Sequence, residues 1–221
     1  MVNMTDFNNH EKVDNVTQAI FNRQKELMSK YEHIEASNGL LETHDVPVDI
    51  DSYKGQARLK NFAWRVTEEL TEALEPLYGG CDKEINEEVK LHIIEEFIDA
   101  VHFLTELMIL SGIDPEKYQV YSITEKEKAL DDNHGFEREA TLIYTLSVIE
   151  ALGLAMNCLK NKPWKQTHVL TDKDKYIRYV LEAAVALKSL LYRQFGLANN
   201  DLLNCYLNKA DVNKFRQESG Y

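Results

Sequence analysis

Acidic residues seldom sit inside an apolar run, yet this chain holds such a pair. Glu96 and Asp99 lie three residues apart in Glu95-Glu96-Phe97-Ile98-Asp99-Ala100-Val101-His102-Phe103-Leu104. On a helix both fall on one flank of the apolar stripe, with Cβ atoms about 5–6 Å apart, and Glu95 is directed outward. Like charges held that close in apolar surroundings require a metal ion, a basic partner or a proton. A second acidic stretch, Glu68-Glu69-Leu70-Thr71-Glu72-Ala73-Leu74-Glu75, sets Glu69 and Glu72 beside its own stripe and Glu68 and Glu75 opposite it. Brought face to face, Glu69, Glu72, Glu96 and Asp99 would form a cage of hard oxygen donors suited to Mg²⁺ or Mn²⁺. For an isolated E-x-x-E, solvated glutamates on an acidic surface are the ordinary reading. The apolar run around Glu96 and Asp99 argues against it.

Two helices must carry these acids. The first is expected over about Ala57–Tyr78, with Leu59, Phe62, Val66, Leu70, Ala73 and Leu77 inward, and Trp64 on the other side as an interface or packing residue. The second is expected over Lys83–Ser111, with Val89, Ile93, Phe97, Ala100, Leu104 and Leu107 inward. Gly79-Gly80 fits a left-handed helix end, and so short a link makes the two helices antiparallel neighbours. Ser111-Gly112 followed by Asp114-Pro115 ends the second one.

Elsewhere the pattern is also helical. A first helix over about Lys12–Glu35 carries Val13, Val16, Ile20, Leu27, Tyr31 and Ile34 inward, with Gln24 where an apolar residue belongs. A buried amide must find partners, and its donor and acceptor suit either a backbone group or a pyrimidine edge. Residues 36–56 read as a long loop, and 113–135 as a charged segment ending in the turn Asn133-His134-Gly135. A further helix over about Phe136–Leu159 has Ala140, Ile143, Leu146, Ile149, Leu152 and Met156 as its stripe. Thr171-x-x-Asp174 resembles a capping box opening a helix to Gly196, with Tyr176, Val180, Ala184, Leu187 and Leu191 inward. The last helix, from Asn199 or Asn200, lines up Leu202, Tyr206, Lys209, Asn213 and Arg216, so an apolar face turns cationic. That face can grip a polyanion or can be a solvated helix end favoured by the macrodipole.

These readings give an all-α fold, an antiparallel bundle of about six main helices, as one domain over 1–221 with a polar tail at 1–10. Nine glycines and four prolines fit long helices better than many-stranded sheets. A formal charge of −12 argues against a general nucleic-acid surface. Three scattered cysteines indicate neither a disulfide framework nor a zinc ribbon, so a reducing, cytoplasmic location is expected. Charges interrupt the apolar runs short of a membrane span, so no membrane partner is expected.

The spacing Glu68-Glu69-x-x-Glu72, then 23 residues, then Glu96-x-x-Asp99 resembles the metal motif of the all-α nucleoside triphosphate pyrophosphatases, which include MazG-type enzymes and the dimeric dUTPases. His102-Phe103 looks like the dUTPase and phage dCTPase/dUTPase branch. At the far end, Tyr206-x-x-Lys209-x-x-x-Asn213-x-Phe215-Arg216-Gln217-x-x-Gly220-Tyr221 is similar to that branch's substrate motif. The chain stops at Gly-Tyr, as the phage type does. The dUTPase tryptophan of the first acidic helix would fall nearer Phe62 than Trp64.

The resemblance implies Mg²⁺-dependent hydrolysis of dUTP and/or dCTP to the monophosphate and pyrophosphate, by water attack at the α-phosphorus, in a homodimer. It implies metal ligation by Glu69, Glu72, Glu96 and Asp99, with Glu72 also taking the water's proton. Lys209 and Arg216 would engage phosphate, Asn213 sugar or base, and Gln24 and His102 the pyrimidine edge. His102 is equally readable as a satisfied packing histidine. Three rivals stand beside this reading: a broader house-cleaning pyrophosphatase, a di-iron bundle, and a non-enzymatic helical adaptor. The di-iron reading needs E-x-x-H on two helices, and the chain offers only Asp99-x-x-His102.

Overall fold

The computed structural model describes residues 13–37, 46–78, 85–126, 135–162 and 164–218, leaving aside the side chains of 31–36, 123–126 and 217–218. Gly79-Gly80, the Asn38-Gly39 part of the long loop, Asn133-His134, Gly220-Tyr221 and the N-terminal tail lie outside these residues. Among the described residues are seven α-helices and no strand: α1 (Val16–Ser37), α2 (Tyr53–Leu74), α3 (Glu87–Leu110), α4 (Pro115–Lys126), α5 (Arg138–Cys158), α6 (Lys173–Phe195) and α7 (Asn200–Glu218). A 3₁₀ turn, Glu75–Tyr78, extends α2. The all-α bundle is as expected.

Local chemistry sets the helix starts. Ser52 Oγ accepts from Gly55 N at 2.9 Å and opens α2 four residues earlier than the apolar pattern suggests. Gly55 is pressed against the preceding turn, where an added Cβ would lie 2.0 Å from Asp49 O. Asn86 caps α3 by accepting from Val89 N, and Glu87 and Glu88 favour the positive end of its dipole. The α6 cap is Asp172, which accepts from Lys175 N, and not Thr171. Its end is as expected, since Gly196 adopts φ 68°.

One helix was not anticipated. α4 lies inside the charged 113–135 segment, with Asp114 Oδ1 accepting from Lys117 N at 2.7 Å and Pro115 at the first helical position. That position suits proline because its missing N–H would have had no helical partner.

The helices pair antiparallel. Val48 N donates to Leu110 O at 2.9 Å, so the entry to α2 lies at the end of α3. Gly135 N likewise donates to Arg193 O, placing the start of α5 at the end of α6. α3 is the central rod and touches α1, α2, α6 and α7. Phe97, Ile98 and Leu107 on it are fully buried, each such side chain contributing about 1.5–3 kcal/mol of transfer free energy. The inward stripes expected for α2 and α6 are all buried, and in α3 only Val89 is half-buried.

The stripe expected for α5 is met at Leu152, which is buried, and in part at Ile149 and Met156, which are half-buried, but its N-terminal half is out of phase. Ile143 and Leu146 are 65% and 56% exposed, while Thr141, Thr145, Val148, Ala151, Leu152 and Ala155 face the core. Thr141 and Thr145 can be buried because their hydroxyls donate to the Glu137 and Thr141 carbonyls, each at 2.8 Å. By length and composition α5 is also the one described helix that could cross a membrane. Its packing against α6 and α2 is that of a bundle helix.

Candidate active site

Helices α2 and α3 bring the carboxylates together. One oxygen each of Glu69, Glu72 and Glu96 lies within 4.8 Å of the others. Glu72 is the exposed member, and Glu69 and Glu96 are half-buried. Such crowding raises proton affinity. Burial, then the charges of Asp99, Glu72 and Glu96, push the Glu69 carboxyl up to about 8. Burial and Asp99 raise Glu96 as well, against the opposing pull of Lys209 and His92. His92 Nδ1 stands 3.2 Å from Glu96 Oε1. The donor set is all carboxylate oxygen, which fits Mg²⁺ or Mn²⁺.

A pH dependence follows, with its sign fixed by linkage. Glu69 binds its proton more tightly folded than unfolded, so its stabilising contribution is complete below about pH 4.5 and is lost as pH rises through about 8. Metal-free protein should therefore melt at progressively lower temperature from about pH 4.5 to about 8 and change little above that, and Glu69→Gln should flatten the decline. Scanning calorimetry in EDTA measures this. A flat wild-type profile would mean that neither burial nor the neighbouring acids disfavour the Glu69 carboxylate.

The fourth acid is engaged differently. Asp99 Oδ2 is 2.7 Å from Lys209 Nζ, and Lys209 also donates to Glu95 Oε1 at 2.6 Å. Lys209 is 4% exposed and comes from α7, which packs on α3. Burial raises the Asp99 carboxyl despite Lys209, and Arg216 is near enough to favour its ionised form. The two neighbouring carboxylates outweigh burial at Lys209, which stays protonated. Asn213 is half-buried and Arg216 exposed, on successive turns of the same α7 face. Glu95, expected to point outward, is in fact only 33% exposed and holds Lys209.

One turn along, the same two helices form a buried polar knot. The His102 ring stacks on Tyr206 with centroids 3.8 Å apart. Gln24 of α1 accepts at Oε1 from His102 Nδ1 (3.1 Å) and the Tyr206 hydroxyl (2.5 Å), and donates to Glu106 Oε2 (2.9 Å). Arg58 Nη2 lies 3.9 Å from Glu106 Oε1. With Gln24 Oε1 as an acceptor, His102 carries its proton on Nδ1, and its buried Nε2 makes no hydrogen bond. Burial lowers His102 to about 3, against a smaller raising effect of the Tyr206 backbone, so the ring is neutral. Gln24 and His102 are 3% and 4% exposed.

The structure thus gathers Glu69, Glu72 and Glu96, sets Asp99 and Lys209 at their edge, and places Gln24 and His102 in the adjoining knot. Sequence reasoning overlooked Glu95, Glu106 and Tyr206 as polar partners. The available signal was register: Glu95 is four residues before Asp99, and Glu106 four after His102, each therefore on the same face as a residue already singled out.

No curated protein and no solved structure matches the chain. A family model described as dUTPase does match, over residues 69–221. Because that stretch runs from the first gathered carboxylate through all of α7 and takes in more than half of the sequence, the protein belongs to the dUTPase family and its activity is of the dUTP diphosphatase type.

Proposed function

We propose that the protein hydrolyses dUTP and/or dCTP to the monophosphate and pyrophosphate, by water attack at the α-phosphorus, with Mg²⁺ held by Glu69, Glu72, Glu96 and Asp99 and Mn²⁺ as a substitute. The observation carrying this reading is the convergence of Glu69, Glu72 and Glu96 from two helices beside a lysine that already binds carboxylate. Bound at this site, divalent cations lower the pKa of a coordinated water and neutralise charge developing on the phosphate oxygens. Glu72, the exposed carboxylate of the three, takes the proton of the attacking water. Lys209 and Arg216 engage phosphate oxygens, Arg216 as a planar fork and Lys209 as a point charge. Asn213, between them on α7, meets sugar or base.

In this proposal Gln24 and His102 set the pyrimidine preference. Either they touch the base after the His102–Tyr206 stack opens, or they act from behind it by fixing that stack. A homodimer is part of the proposal on the family resemblance, and a reducing, cytoplasmic location on the three scattered cysteines.

The test is pyrophosphate release from dUTP, dCTP, dTTP and UTP, with Mg²⁺ and with EDTA. The preferred deoxypyrimidine should exceed UTP by at least about tenfold in kcat/KM, within the discrimination that a pocket closed against an added 2′-hydroxyl can supply. A flat profile would move the assignment to a broad house-cleaning pyrophosphatase. Orthophosphate as the first product would rule out attack at the α-phosphorus.

A further inference from the structure

Lys209 lies between two carboxylates that occupy adjacent turns of α3. Its Nζ is 2.6 Å from Glu95 Oε1 and 2.7 Å from Asp99 Oδ2. Neither acid is in the close group of Glu69, Glu72 and Glu96, but the charge of Asp99 acts on both Glu69 and Glu96, which puts Asp99 at the edge of the proposed cation cage and Glu95 beyond it. The side chain of Lys209 is 5% exposed, that of Asp99 17% and that of Glu95 33%, so the pair of acids leads from the interior towards solvent. Passing from both acids to Glu95 alone needs only lysine torsions, because Glu95 and Asp99 stand on the same helix face.

We infer that Lys209 is the cage's own counter-cation, competing with divalent ions for Asp99, and that Glu95 is the positioning residue that keeps it when Asp99 is given up. The inference rests on the proposed metal-dependent reading. An ammonium bonded to Asp99 neutralises it and occupies one oxygen directly. A divalent ion at the same carboxylate repels that ammonium, which moves to Glu95 without losing a charged partner. It then lies at the solvent-facing side of the acids, where a phosphate would arrive. Neutralising Glu95 would remove the alternative partner and leave Lys209 on Asp99.

The experiment is Mn²⁺ binding to the full chain in the absence of nucleotide, by titration calorimetry, for wild type, Lys209→Gln, Lys209→Arg, Glu95→Gln and the Lys209→Gln/Glu95→Gln double variant. Lys209→Gln should tighten Mn²⁺ binding about tenfold, and Lys209→Arg, which keeps the cation, should stay within about threefold of wild type. Glu95→Gln should weaken binding about tenfold when Lys209 is present and less than about twofold when it is absent. An equal Glu95→Gln effect in both backgrounds would show general electrostatics and overturn the exchange, as would weaker binding by a folded Lys209→Gln. Helical circular dichroism establishes folding, and the arginine variant keeps the test decisive if the glutamine variant unfolds, since binding lost on Lys209→Arg would also overturn it. Wild-type protein that binds Mn²⁺ with affinities indifferent to both residues leaves the metal cage standing and removes only this inference. Absence of Mn²⁺ binding in every variant removes both.

Discussion

Glu96→Gln is expected to yield a folded, fully helical protein whose metal-dependent hydrolysis has fallen by about 10³-fold or more, and Asp99→Asn should do the same. The size follows from the several kcal/mol that bound cations contribute to an anionic transition state, at about 1.36 kcal/mol per factor of ten. Stability should move the other way. In the metal-free fold the Glu96 carboxyl is raised by burial and by Asp99, so its charge is unfavourable there and an amide relieves it. Glu96→Gln should therefore melt no lower than wild type in EDTA, while losing most of the stabilisation by Mg²⁺ that wild type shows. Asp99→Asn lacks that gain, because it also deprives Lys209 of an ionic partner. Activity assays and melting with and without Mg²⁺ measure both effects. Full activity in either purified variant would refute the cage.

Gln24→Ala is the second substitution with a large expected effect. It removes the donor to Glu106 and the acceptor shared by His102 and Tyr206, all in the interior. A buried polar group stripped of its partner costs about 1–3 kcal/mol, so a loss of about 3 kcal/mol or more is expected for the knot as a whole. In a chain of this length that corresponds to a melting point about 6–12 °C lower. The same measurement separates two roles for Gln24. Loss of stability with a proportionate loss of activity marks a residue that fixes the His102–Tyr206 stack. Near-native stability with a selective rise in KM for the preferred pyrimidine marks direct contact with the base.

The parts of this fold that could be read from the sequence are those where one helix face differs sharply from the other. In α2, Leu59, Phe62, Val66, Leu70 and Ala73 alternate with charged residues, and every one of them is buried. In α3 the acids were conspicuous because Phe97, Ile98 and Ala100 leave them no solvated side to occupy. α5 offered no such contrast. It is apolar nearly all round, so periodicity could not choose between Ile143 and Thr141, and self-satisfied threonine hydroxyls decided the matter. Hydrogen bonding between distant segments was also invisible. That Lys209 would meet Glu95 and Asp99 depends on where α7 crosses α3, and no local pattern encodes a crossing. The α4 start is a different kind of miss, because Asp114-Pro115 is a local start signal as well as a stop for the helix before it.

The tight approach at Gly55 has a meaning for the lineage of this sequence. With Asp49 O only 2.0 Å from where a Cβ would stand, no side chain fits without moving backbone, and the turn it would displace leads directly into the helix bearing Glu69 and Glu72. Descendants that keep this turn must keep glycine there, while those that abandon glycine must rebuild the approach to the acidic helix. Position 55 is thus a marker by which divergent relatives could be sorted, even where their surfaces have drifted beyond recognition.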